Sequence, residues 1–304
     1  MKNKVGIVTV LYNSSSVLPD FFRSLDEQVC RDFTLYVVDN ASPDDSLTQA
    51  RLLATTVSFQ TVFIENPCNG GIAQGNNQGI RTARRDDCEW ILLSNNDTIW
   101  RPDTLEILSK ETDRCGAEIA VPTIKMYGSE RNWYAGGCWN RWRGGTKHIV
   151  REKRQDLKSR VVEYAPTCCM LIRSTVFDRI GWMDERFFIY YDDSDFVRRA
   201  ADTNLKIWFI PQAKIRHKEG VSTGAVSPLA QYWLSRNLLL YTHKHHSKVY
   251  WHYVLAINLL ILFSKRLLTF RFAEWQAAWR GMCDGIRTCR KSRPEPILKR
   301  VWKG

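Results

Sequence analysis

Apolar residues come in short continuous runs, separated by stretches with helical spacing. Residues 5–11, Val-Gly-Ile-Val-Thr-Val-Leu, do not alternate with polar residues, which predicts a strand buried on both faces. A polar turn at Tyr12-Asn13-Ser14-Ser15-Ser16 leads into a predicted helix over 17–28, with Leu18, Phe21, Phe22 and Leu25 on one side. Further strands are predicted at 33–38, 57–64, 90–93, 168–172 and 205–210. Helices are predicted up to about 53, from Asn69-Gly70-Gly71 through Ala83, and over 175–180. Strands alternating with helices mean crossover units and a mostly parallel sheet, the α/β class. Residues 123–165, rich in Gly, Trp and Arg, read as an irregular insertion with a hairpin that could act as a lid. An aromatic, strand-like run at 187–191 ends in Asp192, Asp193 and Asp195, where a helical pattern starts. From about 227 the pattern is helical.

The polar clusters follow the strands, at the carboxyl edge where open α/β sheets bind ligands. Asp39 comes directly after Val37-Val38. A carboxylate there can accept a hydrogen bond from a pyrimidine ring N–H, or simply close an Asx-turn. Asn69-Gly70-Gly71 with Gly75-Asn76-Asn77 allows close backbone approach to a ligand, or only tight packing. Asp97, in Asn95-Asn96-Asp97, would repel a diphosphate unless a divalent cation lay between them. His217 could supply a second ligand for manganese; magnesium with more waters stays open. An acid at a helix start beside aromatic rings, as at 192–195, can serve as a general base whose pKa burial raises, or as a first-turn cap.

The composition, 44% hydrophobic and 12% aromatic over 304 residues, is that of a globular chain with a sizeable core. Nine cysteines without a CxxC motif point to reduced thiols and a cytosolic compartment. Met1-Lys2-Asn3-Lys4 runs straight into the first strand, so no leader is expected. The net charge of +12 is uneven: residues 211–304 hold 17 Lys and Arg against 4 Asp and Glu, residues 1–210 hold 27 against 28. An anionic partner is therefore expected for the last third alone. A nucleic-acid-binding protein would carry its basic residues across the binding domain, and the near-neutral first 210 residues speak against it. Residues 254–263 are the most apolar run, shorter than the roughly 20 residues that span a bilayer. Trp251, Lys265, Arg266, Arg271, Trp275 and Trp279 surround it, which suggests a helix lying in a membrane surface. An ordinary core helix with a solvated basic face is the other reading.

Taken together and in order, Val8-Thr9-Val10-Leu11-Tyr12-Asn13, Val37-Val38-Asp39-Asn40-Ala41-Ser42, Asn69-Gly70-Gly71, Leu93-Ser94-Asn95-Asn96-Asp97, Asp184-Glu185-Arg186-Phe187-Phe188, Asp192-Asp193-Ser194-Asp195 and His217 resemble the motifs of family 2 glycosyltransferases. The branch most similar is the bacterial rhamnosyltransferase and galactofuranosyltransferase-like one, over about residues 4–240. The resemblance implies a GT-A fold and inverting transfer from a dTDP- or UDP-linked sugar to a saccharide hydroxyl, in cell-surface polysaccharide synthesis. It implies a base-reading Asp39 and a nucleoside loop with Thr9 and Asn13. Asn69, Gly71, Asn76 and Asn96 would complete the nucleotide site. Asp97 and His217 would hold a divalent cation, manganese or magnesium. Asp193, or its neighbour Asp192, would be the base. Trp182, Asp184, Gly136 and Gly137 are candidate acceptor contacts.

Two departures stand out. The family's DxD reads Asn95-Asn96-Asp97, one carboxylate short, and the acid pair is Asp-Asp rather than Glu-Asp. The short motif keeps open a nucleotide-sugar-binding protein without turnover. The expected organisation is a glycosyltransferase domain over 1–226, donor half about 1–122 and acceptor half about 123–226, followed by a membrane-associating helical region over 227–304. That region would hold the protein at the cytoplasmic face of the plasma membrane, close to an acceptor carried on a polyprenyl diphosphate.

Overall fold

A computed structural model describes residues 4–150, 158–218, 227–268 and 272–290, without the side chains of 265–268. The first half is built as the pattern predicts. Strands β1 (Val5–Leu11), β2 (Phe33–Asp39), β3 (Gln60–Glu65) and β4 (Trp90–Ser94) alternate with helices α1 (Leu18–Asp26), α2 (Ser46–Ala54) and α3 (Ile72–Arg85). The apolar runs of β1, β2 and β4 are buried almost throughout. The four strands are parallel in the order β3-β2-β1-β4. Gly79 lets α3 lie against β1, since a Cβ there would come within 2.3 Å of Val8 Cγ1.

Residues 98–122 carry three elements that the pattern does not announce: β5 (Thr98–Trp100), α4 (Thr104–Cys115) and β6 (Ile119–Met126). Pro122 inside β6 argues against a strand, because proline cannot donate to the ladder. Strands β7 (Asn132–Tyr134), β8 (Gly137–Asn140), β9 (Gly145–His148), β10 (Arg160–Val162) and β11 (Cys169–Arg173) follow, then α5 (Val176–Ile180), α6 (Asp192–Asp202) and β12 (Ile207–His217). The insertion does hold a hairpin, β8–β9. The last strand runs seven residues past the predicted end at 210: its pairing with β6 breaks at an irregularity between Ile210 and Lys214, around Pro211, and resumes to His217. Beyond β4 the sheet continues β11-β6-β12-β10, with β6 and β12 parallel to each other and β11 antiparallel to β4 and β6.

The aromatic run at 187–191 is not a strand. Tyr190 and Tyr191 both have left-handed φ, 64° and 65°, and the chain bends into α6. Its polar groups are met from outside: Phe188 O accepts from Ile72 N at 2.7 Å, and Asn237 Nδ2 donates to Ile189 O and Tyr190 O.

Helices α7 (Pro228–His245), α8 (Lys248–Leu268) and α9 (Phe272–Arg290) close the described chain. Ser227 caps α7 through the Ala230 N–H. Gly281 lets α9 lie directly on α7, with Tyr232 O only 2.2 Å from where its Cβ would be. The apolar run of α8 is divided: Val254 and Leu262 are buried, while Leu260 and Phe263 are exposed. The run thus packs on one side and faces outward on the other. None of the described helices is long and apolar enough to cross a membrane. The basic side chains of Lys265, Arg266 and Arg271, and all of 291–304, lie outside the described residues.

Candidate active site

The parallel register sets Leu11 opposite Asp39, so β1, β2 and β4 end at one edge of the sheet. Thr9 is buried in β1, and its Oγ1 has no hydrogen-bond partner. Asn13 is exposed just beyond, with a left-handed φ of 55°. Asp39 is buried and accepts from Ser42 N at 3.2 Å, three residues on, a local turn bond one residue longer than an Asx-turn. Its neighbour Asn40, to which the sequence reading assigned no role, donates to Gly71 O at 3.0 Å and accepts from Asn66, tying the strand end to the start of α3. Asn69 Oδ1 accepts from Gly71 N at 2.9 Å. Gly71, at φ 87°, faces Phe188 O, 2.4 Å from where a Cβ would lie. That glycine therefore seats the acid-bearing loop on α3.

Several expected ligand contacts turn out to be committed elsewhere. Asn76 Nδ2 donates to Met183 Sδ, and Asn77 exchanges hydrogen bonds with the Met183 backbone, so Asn76 supports the 183–185 loop rather than opening on the edge. Asn96 Nδ2 donates to Val10 O at 2.7 Å, joining the ends of β4 and β1. Trp182 stacks on Phe177, with Arg81 and Arg84 over its ring. Asp184 is paired with Arg186 and Lys244; burial raises its pKa, but these two cations outweigh that and hold it below the ordinary carboxylate range. Gly136 and Gly137 accept from Ile149 N and Tyr164 N, which sets the base of the hairpin rather than an acceptor surface.

Asp97 and His217, 120 positions apart, are brought together by the antiparallel pairing of β5 with β12, which sets Thr98 opposite His217, and by the bond from Lys218 N to Asp97 O at 2.9 Å. Asp97 Oδ1 lies 3.1 Å from His217 Nε2. His217 is buried and Asp97 half-buried, yet neither of these atoms, nor His217 Nδ1, makes a hydrogen bond of sound geometry. Two orphaned ligand atoms about 3 Å apart is what adjacent positions around an octahedral ion, each at about 2.1 Å, require. The donor set, one carboxylate oxygen and one imidazole, suits manganese, and magnesium if waters complete the shell. Among the described residues no group of three or more His, Cys, Asp and Glu could hold a metal, so further ligands would have to come from a bound molecule and water.

The acid pair lies in the first turn of α6. Asp193 Oδ2 accepts from Tyr164 OH at 2.5 Å, and its Oδ1 accepts from Ser194 N at 2.5 Å and from the Ser194 hydroxyl at 3.1 Å. Burial raises the pKa of both acids. Asp192, buried against the charge of Asp193, is pushed up to about 8. For Asp193 the donors Tyr164 and Ser194 and the nearby His148 work against burial. Each acid feels the other's charge, and the donors favour the charged form at Asp193 over that at Asp192. Asp195, fully buried, is gripped by Arg199 at 2.9 Å, His245 at 2.7 Å and Lys244 at 2.6 Å; burial raises its pKa, but these partners bring it below the ordinary value.

The two corners are joined. His217 packs on Trp133, Trp133 on His148, and His148 on Tyr164, which holds Asp193. Buried Cys168 feels the charges of both Asp97 and Asp193. Among the described residues, Asp193 and not Asp192 lines a cavity of about 640 Å³ between the hairpin and the C-terminal helices. Tyr164, His148 and Trp133 carry no motif and are found only through these contacts.

A family model described as Glycosyl transferase family 2 matches residues 6–181. The chain is 25% identical to an N-acetylglucosaminyl-diphospho-decaprenol L-rhamnosyltransferase of Mycobacterium tuberculosis, over 74% of this chain and 79% of that protein. It is 27% identical to the dTDP-rhamnosyl transferase RfbF of Shigella flexneri, over 81% of this chain and 82% of that one. Among solved structures it is similar to a mannosyltransferase from Pyrobaculum calidifontis in complex with GDP-Man and Mn2+, at a TM-score of 0.59, 16% identity, and coverage of 94% and 85%.

Proposed function

The chain belongs to glycosyl transferase family 2 and has the GT-A fold, and from that premise we propose the particular reaction its site performs. It transfers a sugar, with inversion, from a dTDP- or UDP-linked donor to a hydroxyl of a saccharide acceptor carried on a polyprenyl diphosphate. The names of the two rhamnosyltransferase relatives favour rhamnose as the sugar and, through the mycobacterial one, the lipid carrier.

Asp39, at the end of β2, accepts from the ring N–H of a pyrimidine, while Thr9 and Asn13 flank the nucleoside. Asp97 and His217 hold a divalent cation, manganese or magnesium, which when bound offsets the negative charge that gathers on the departing diphosphate. Asp193 accepts the proton of the acceptor hydroxyl as its oxygen attacks the anomeric carbon. The new C–O bond forms opposite the bond to the diphosphate, which breaks and leaves as the nucleoside diphosphate. Tyr164 and Ser194 hold Asp193 in its charged form, and Asp192 keeps its own proton.

The observation that carries this reading is the orphaned Asp97–His217 pair, at 3.1 Å, joined through packed rings to Asp193 on a cavity wall. Replacing Asp193 with Asn should cut transfer by about 10²–10⁴-fold and leave nucleotide binding unchanged. Wild-type turnover in D193N would refute the assignment. A nucleotide-sugar-binding protein without turnover would release no nucleoside diphosphate with any acceptor.

We further propose a donor half over 1–122, an acceptor half over 123–226, and a helical region over 227–304 that binds the cytoplasmic face of the plasma membrane. Exposed Leu260, Phe263, Phe272 and Trp279 supply its apolar contact, and the basic excess of residues 211–304 suits anionic lipid rather than nucleic acid.

A further inference from the structure

The cavity that holds Asp193 does not end at the catalytic acid. On the catalytic side its wall is polar, with Asn140, Thr146, Tyr164 and Ser194, and it includes Arg143, the one cation among the described lining residues. It then runs between α7, α8 and α9, where Leu234, Leu238, Ile261, Leu262, Ala278 and Met282 make most of the wall apolar, with Gln231, Ser235, Asn258 and Glu274 set among them. The volume of about 640 Å³ is that of a site for a drug-sized molecule, which typically lies at roughly 300–1,000 Å³.

The walls are built to stay apart. The hairpin tip is wedged onto the helices: a Cβ on Gly144 would lie 2.9 Å from Thr242 and 3.0 Å from Val254, and Tyr250 OH donates to Arg141 O at 2.6 Å. Trp139 of the hairpin stacks on Tyr241 of α7. On the outer side of α8 and α9, beside the apolar lining, Leu260, Phe263 and Trp279 are exposed. Phe263 packs on Trp279, and Trp279 stacks on Trp275, which itself lines the cavity. Trp275 thus links the exposed rings of α8 and α9 to the cavity that Asp193 lines.

We propose that this cleft is an isoprenoid channel: the first isoprene units of the acceptor's carrier lipid lie between α7, α8 and α9, Arg143 meets the diphosphate, and the sugar hydroxyl is delivered to Asp193. The inference rests on the reading of the acceptor as lipid-linked, and it adds where the lipid goes. A free saccharide would have no use for the apolar half of the cavity. A membrane-docking face alone would not need that half to open on the catalytic acid.

The test is calorimetric binding of geranylgeranyl diphosphate to the full chain, its donor site first filled with UDP or dTDP and manganese. Inorganic diphosphate and geranylgeraniol are the controls. Geranylgeranyl diphosphate should bind at least tenfold more tightly than either control. Leu234→Trp and Ser235→Trp, at half-buried positions on the channel wall, should each weaken it at least tenfold while leaving the nucleotide affinity unchanged, which also reports that they fold. Equal binding of geranylgeranyl diphosphate and inorganic diphosphate overturns the channel, as does full affinity in both Trp variants. Transfer to a lipid-free saccharide with no preference for the isoprenoid leaves the transferase standing and removes the channel. Blocked isoprenoid binding in a chain that glycosylates no acceptor does the reverse.

Discussion

Replacing Asp192 with Asn should change how stability depends on pH. Asp192 is 5% exposed, and its carboxyl is pushed from 3.8 up to about 8 by burial and by Asp193. The folded chain therefore keeps a proton that the unfolded chain has lost above about pH 4. Where the folded state binds more protons, stability falls as pH rises, here by about 1.4 kcal/mol per pH unit until the folded value near 8 is passed. An amide is neutral throughout, so D192N lacks this slope. From pH 5 to pH 8 the stability of D192N should gain on that of the wild type by about 4 kcal/mol. At about 2 °C per kcal/mol for a chain of this size, the Tm difference should grow by about 8 °C. Scanning calorimetry of both proteins at pH 5, 6, 7 and 8, at constant ionic strength, measures it. Parallel Tm curves would refute the claim that Asp192 holds the pair's proton. Because Asn imitates the neutral acid, kcat/KM of D192N at pH 7 should stay within about tenfold of wild type, whereas a base at position 192 would cost at least 10²-fold.

Tyr164→Phe removes a donor to the charged form of Asp193, so the pKa of Asp193 should rise further and the acid limb of the kcat/KM profile should move up with it. Loss at pH 6 that is not recovered at pH 8 would speak against this. His217→Ala should abolish the extra Tm rise that manganese gives in the presence of nucleoside diphosphate, and cut transfer by about 100-fold or more; an unchanged manganese effect would place the ion elsewhere. The double variant Leu260→Glu/Phe263→Glu should weaken sedimentation with anionic liposomes by about tenfold or more, and binding equal to wild type would remove the apolar face of α8 from membrane docking.

The half of the fold with the strongest periodicity was legible in the sequence. Runs such as Ile7 to Leu11 and Leu35 to Val38 can only be buried on both faces, and the polar residues after them mark the working edge. Asp97 and His217 could be singled out as candidate cation ligands because each lies just beyond a predicted strand end. Their contact, however, depends on β5, three residues long, and on a strand that continues past Pro211. Proline hides strands from pattern reasoning because it normally ends them. The run at 187–191 misled for the opposite reason: aromatic residues suit strands, but here Phe188 is used to stack on Trp233 and the backbone turns left-handed. Tyr164 and Asn40 were out of reach because a hydrogen bond between residues 29 or 31 positions apart leaves no local trace.

The C-terminal helices are built into the fold around the acid pair. The acid-bearing loop arrives at α6 through two consecutive left-handed residues that are not glycine, a conformation that persists only when its surroundings impose it. Asn237 of α7 imposes it directly, through the carbonyls of Ile189 and Tyr190, and α3 does so through Ile72. One turn into α6, the fully buried charge of Asp195 is balanced by Lys244 and His245 of α7 and by Arg199 of its own helix. A buried ion pair broken on one side costs about 3–5 kcal/mol, so α6 cannot settle where it is without α7. Arg236, buried in α7, donates to Arg186 O, and Lys244 reaches Asp184 as well, so the same helix fixes both ends of the segment from 184 to 195. The helix that orients the acid pair is therefore the one against which α8 and α9 pack, and any surface those two rest on is mechanically continuous with Asp193.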